Sequence, residues 1–222
     1  MDVWQVALAA GIVGAIAGVG LERLAAWSLT IGDQGDDTPL PRRTAWMSAA
    51  AGLSCAGVTI FAGLVPTLPA WWAFALGSVT VSRTDLARHR IPDVLALGML
   101  VIGAGLLFLA STQDNASDAY LRAWIAAAAS FGVFLLLGLF ARAGLGMGDV
   151  KLAPTLGLYL GYYGWADVVL GLFAGFILGA LTGLVIVVIV MMRRGRARDA
   201  LRRSIPFGPF LCLGALLPIV LG

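Results

Sequence analysis

The feature that most restricts this chain is a succession of apolar stretches, each long enough or nearly long enough to cross a bilayer, joined by short polar connections. They cover residues 3–20, 45–65, 70–85, 91–110, 121–141, 150–163, 166–192 and 206–221. A straight helical crossing needs about twenty residues. Within hydrocarbon, each backbone N–H and C=O must be satisfied by the protein itself. The third span reaches crossing length only by running on to Asp85. The sixth is short, consistent with a thin, broken or partly re-entrant span. The expected architecture is all-α: one polytopic transmembrane helical bundle over residues 1–222, with about eight spans.

Composition agrees with lipid as the solvent. The chain is 60% hydrophobic and only 12% charged, where soluble domains carry about a quarter charged residues. Its 29 glycines fit membrane helices, in which small residues let backbones approach closely. Gly171, Gly175, Gly179 and Gly183 repeat every four residues in the seventh span, and Gly157 and Gly161 notch the sixth. Close helix packing accounts for both. Cys55 and Cys212 fall inside apolar stretches and imply neither a disulfide framework nor a metal site. A catalytic zinc site generally takes three protein ligands, and His89 is the single histidine; no metal or other cofactor is expected. Met1-Asp2 offers no basic n-region, so the first stretch reads as a retained helix rather than a cleaved signal.

The net charge of +3 does not point to nucleic acid, because the basic residues lie between spans. With the N-terminus outside, fourteen of the fifteen Lys and Arg residues fall in cytoplasmic connections or at their edges, and Arg122 alone falls on the other side. Cytoplasmic loops carry such an excess. The cluster from Arg193 to Arg203 reads mainly as a topology determinant and a contact for anionic membrane lipid. The first connection, Ile31 to Pro41, is polar and too short for a domain. All seven tryptophans stand near span ends and read as interfacial anchors.

Acidic residues carry the functional reading. Most of the twelve lie in loops or at the termini. Asp85 and Asp149 instead stand where an apolar span meets a basic cytoplasmic connection. A carboxylate in a membrane helix is expensive and marks function by default, although either residue alone reads equally well as a helix cap or an interfacial charge. Asp93 follows Pro92 and suits the N-terminal dipole of the fourth helix. Lys151, the sole lysine, either biases the charge at the two aspartates or pairs with lipid phosphate. His89 reads as surface.

The surroundings of the two aspartates are more specific. Asp149 stands in Gly146-Met147-Gly148-Asp149-Val150-Lys151, and Asp85 is followed six residues on by Ile91-Pro92-Asp93. These stretches, with Pro206-Phe207-Gly208-Pro209, resemble in order and spacing the signatures of the type IV prepilin peptidases, over about Thr84 to Phe210. The resemblance implies a membrane aspartic endopeptidase with Asp85 and Asp149 as catalytic pair. Gly146, Gly148, Lys151, Pro92, Asp93, Pro206, Phe207, Gly208 and Pro209 would then support the site or bind substrate. It also implies prepilin or pseudopilin precursors as partners, cut at the end of a short basic leader. The setting would be the cytoplasmic side of a bacterial-type plasma membrane. The glycines around Asp149 would permit a non-helical backbone there.

Many members of that family carry a zinc-binding insert with two Cys-x-x-Cys pairs after the first helix. Residues 25–44 hold no cysteine, so the expectation is peptidase activity without N-methyl transfer. Two other readings stay open: a broader Gly-x-Gly-Asp intramembrane protease that cuts within a helix, and a transporter or inactive scaffold using the same acids.

Overall fold

The computed structural model describes residues 2–32, 44–140, 146–194 and 206–221, apart from the side chains of 31, 32, 190, 191, 193 and 194. The charged groups of the first connection, Arg142 and the Arg193–Arg203 cluster lie outside the described side chains. The described residues form eight helices and no strand: α1 Val3–Gly32, α2 Thr44–Ala62, α3 Leu68–Arg88, α4 Asp93–Gln113, α5 Ser117–Phe140, α6 Met147–Tyr163, α7 Trp165–Arg194 and α8 Gly208–Leu221. Five contain segments long and apolar enough to cross a membrane: Val3–Thr30, Thr44–Ala62, Asp93–Gln113, Ser117–Phe140 and Trp165–Ile189. Their outward faces are apolar, with Leu8, Ile16, Leu139 and Phe140 all more than 60% exposed. That surface suits lipid rather than water.

The remaining helices sit deeper or are shorter. Twelve of the seventeen residues of α6 and twelve of the twenty-one of α3 are buried. These two are therefore interior helices, which is why they afford polar residues that an outer helix would expose to lipid. Around them, α1 lies along α2, α5 along α6, and α7 along α8. The sixth segment is not broken: α6 is one helix despite Pro154 within it.

Glycines set the close approaches. A methyl group at Gly157 or Gly161 would run into Ala126 of α5, and one at Gly214 of α8 into the backbones of Gly171 and Gly175. Three of the expected α7 notch glycines face packed neighbours: Gly171 meets Leu160, Gly175 meets Leu211, and Gly179 meets Phe207.

The pairing of α3 with α6 decides where the aspartates go. Near the start of α3, Trp71 and Phe74 pack on Tyr159 of α6, with ring centroids 5.2 and 4.8 Å apart. The Tyr159 hydroxyl donates to the Ala70 carbonyl at 3.0 Å, and the Trp71 indole N–H donates to the Tyr163 hydroxyl at 2.8 Å. The start of α3 thus meets the end of α6. The helices run antiparallel, so the end of α3 meets the start of α6.

Two readings of the sequence need correction here. Trp71 is only 1% exposed and is a core residue, not an interfacial anchor; its indole finds a partner inside the bundle, as buried tryptophan requires. Arg83 is not a connection residue either. It is buried in α3 and pairs at 3.4 Å with Glu22 of α1, a helix that runs twelve residues beyond the expected Gly20.

Arg122, expected from the sequence on the opposite side from the other basic residues, is accounted for by its partners. Its guanidinium donates to the carbonyls of Gly161, Tyr162 and Tyr163 at 2.9, 2.6 and 3.1 Å. Those are carbonyls at the C-terminal end of α6, where backbone acceptors lack helical donors and a cation is favoured.

Candidate active site

Asp85 occupies the last turn of α3 and Asp149 the first turn of α6, and each residue is 6% exposed. His89 closes α3 in a left-handed conformation, φ 52°, which turns the chain sharply into Arg90-Ile91-Pro92. Pro92 then stands extended before α4, at φ −61° and ψ 141°. A residue preceding proline is pushed away from helical angles, so the Ile-Pro pair stops one helix and starts the next within four residues.

Each carboxylate is held by a backbone amide at the start of a helix. The Gly208 N–H donates to Asp85 Oδ2 at 2.9 Å, bringing the first residue of α8 onto the end of α3. The Gly146 N–H donates to Asp149 Oδ2 at 3.2 Å, reaching across the first turn of α6. Helix N-termini carry unsatisfied N–H groups and a partial positive charge, which offset part of the cost of burying an anion. The two supports share a neighbour, since Ile91 packs beside both Gly148 and Gly208.

Ile91 is wedged between these supports. A methyl group added at Gly148 would stand 3.1 Å from Ile91 Cβ, and one at Gly208 would stand 3.2 Å from Ile91 Cδ1 and 3.0 Å from Asp85 Oδ2. The glycines are therefore needed for space. The expected non-helical backbone at Asp149 is absent: Gly148 and Asp149 are helical, and Gly146 is extended at φ −73°, an ordinary angle for any residue.

The other expected supporting residues divide into two groups. Gly208 touches Asp85, Pro209 lies in the first turn of α8, and Phe207 packs on Phe176 with centroids 5.3 Å apart. Pro206 is half-buried just before that turn. The Lys151 ammonium pairs with Asp93 in the first turn of α4, a partner the sequence did not suggest. Both side chains are substantially exposed, at 42% and 74%, so that pair adds little stability. His89 is exposed, as expected, but it also lines a cavity of about 500 Å³ beside the start of α6. Among the described residues, no group of three or more His, Cys, Asp and Glu side chains stands ready to hold a metal. Cys55 and Cys212 are free and buried.

Sequence reasoning missed Glu22, Ser28 and Leu29. Glu22 pairs with Arg83, and Ser28 and Leu29 line the same cavity as His89. A signal was present: Glu22, Ala25 and Leu29 recur at the spacing of one helical face.

The site coincides with a known sequence family. The model of the type IV leader peptidase family matches residues 72–190, more than half of the chain. A prepilin leader peptidase/N-methyltransferase of Legionella pneumophila is 33% identical over 142 residues, covering 62% of this chain and 45% of that protein. Proteins of the same name from Pectobacterium carotovorum and Burkholderia pseudomallei (strain 1026b) are 32% and 33% identical, covering 72% and 83% of this chain and 55% and 57% of theirs. The chain spans about half the length of these curated relatives. No solved structure matches it. With two buried aspartates on facing helix ends and a match that spans both, the chain belongs to the type IV leader peptidase family.

Proposed function

We propose that this chain is an aspartic endopeptidase that removes the short basic leader of type IV prepilin-like precursors at the cytoplasmic membrane face, using Asp85 and Asp149 as its catalytic pair. The observation that supports this reading is that two buried carboxylates, one at the end of α3 and one at the start of α6, are each held by a helix-initiating amide. Two carboxyls that meet over a substrate hold one proton between them. The ionised member takes a proton from water as it attacks the scissile carbonyl, and the protonated member donates a hydrogen bond to the carbonyl oxygen. The roles exchange when the amine leaves. The Gly208 and Gly146 amides keep each carboxyl aimed through this exchange.

The relatives are named for two activities, leader cleavage and N-methylation. We assign this chain the first, because no cysteine stands in residues 25–44 to build a zinc-binding insert.

The test uses the full chain in membranes with a prepilin-like precursor. Asp85→Asn and Asp149→Asn each accumulate as wild type does, yet lose cleavage by at least a hundredfold, the range for removal of a general acid or base. Retained cleavage in both would overturn the aspartic mechanism. Mass analysis of the products separates leader removal from a mid-helix cut and shows whether the new N-terminus is methylated.

A further inference from the structure

The cavity beside Asp149 has a wall that lies outside the matched family region. At about 500 Å³ it falls within the 300–1,000 Å³ usual for ligand sites. Three segments enclose it: the end of α1 at Ser28 and Leu29, the α3–α4 connection at Ile91 and Pro92, and the start of α6 at Gly146 and Gly148. The last segment supplies the amide that holds Asp149.

We propose that Leu29 is a specificity-determining residue, setting the size of the substrate side chain that fits beside the Gly146–Gly148 backbone next to Asp149. This inference rests on the proteolytic reading of the site. Gly146 and Gly148 offer backbone alone, and Met147 between them is 63% exposed, so its side chain can swing away from a ligand. Ile91 is 5% exposed and jammed against Gly148 and Gly208; it cannot yield without disturbing the supports of both aspartates. Pro92 is a rigid ring, and Lys151 is tied to Asp93. Ser28 turns its hydroxyl back to the Ala25 carbonyl. Val94 also lines the cavity but is 41% exposed and can turn outward, whereas Leu29, 8% exposed, is the apolar side chain that the bundle holds in place.

That wall is fixed in position. Ala25 is fully buried, Ser28 is 1% exposed, and the Glu22–Arg83 pair ties α1 to α3 two residues before Asp85. The spacing between Leu29 and the aspartates is therefore set by packing. Side chains of an extended peptide alternate between two sides, so Leu29 meets every second substrate residue at most.

The test compares precursor peptides carrying Ala, Leu or Phe in turn at each position around the cut. Leu29→Ala raises kcat/KM for Phe relative to Ala about tenfold at one position, the scale of a size-selective pocket, and Leu29→Phe lowers it. Equal changes for every peptide, or none, would overturn the proposal. A second measurement does not depend on turnover: in the Asp149→Asn protein, a photoreactive benzoylphenylalanine replacing Leu29 crosslinks the bound precursor near its cut site. The same group replacing Leu8, exposed on α1, does not. Cleavage retained by both Asp85→Asn and Asp149→Asn would overturn the aspartic reading, whereas lost cleavage with no crosslink from position 29 would overturn the role of Leu29 alone.

Discussion

Two glycines flank the same catalytic candidate, and their consequences differ. A methyl group at Gly146 would come no closer than 3.4 Å to Asp149 Oδ2, an ordinary contact, whereas at Gly148 it would press on Ile91 from 3.1 Å. Overpacking of this kind costs about 1–3 kcal/mol. Gly148→Ala is therefore expected to lower single-turnover cleavage roughly ten- to a hundredfold, since about 1.4 kcal/mol is a factor of ten, by shifting the start of α6. Gly146→Ala should stay close to wild type in the same assay. Both glycines belong to one motif in the sequence, and nothing in the motif separates them, because the atom that does so belongs to Ile91 on another connection. Asp85 and Asp149 stood out beside apolar runs, but only the motifs around them, Ile91-Pro92-Asp93 and Gly146-Met147-Gly148, separated them from ordinary helix caps. The partners of Lys151, Trp71 and Arg83 were not legible, since each is chosen by a distant helix.

At the scale of elements, α7 and α8 meet along a seam of glycine backbone, and α8 begins with the amide that holds Asp85. Gly214→Ala is expected to push α8 away from α7, lowering the thermal midpoint in detergent and cleavage together. Gly57→Ala, in α2 where an added methyl meets nothing within 4 Å, should leave both unchanged within error. The every-fourth-residue repeat in α7 revealed one side of this seam in the sequence. Its other side, a single glycine in α8, carried no periodic signal. Helix positions were readable from apolar runs to within a few residues for α2, α4 and α5. The end of α1 was not, because its helical face continues through Glu22 and Ser28, polar residues that interrupt hydropathy without interrupting the helix.

For the whole molecule, the antiparallel pairing of α3 with α6 joins two ends of unlike character: a clamp of Trp71, Phe74 and Tyr159 at one, and two carboxylates at the other. The clamp lets the polar end exist, since burial elsewhere compensates for the acids. Arg122 reinforces the clamped end by gathering three carbonyls of α6. Hydrogen bonds to a charged group are worth about 1.5–3 kcal/mol, so Arg122→Ala should destabilise the bundle by on the order of 2 kcal/mol, read from its thermal midpoint. Arg122→Lys should recover only part of this, lacking the planar fork. Those acceptors also impose an order in time. Arg122 leaves the ribosome some forty residues before Gly161, and until α6 follows, its guanidinium has none of these carbonyls to bind. The α5–α6 hairpin is thus a unit of biosynthesis. A nascent chain ending at Phe140 should be short-lived in pulse-chase labelling, and one extended through Gly164 should persist.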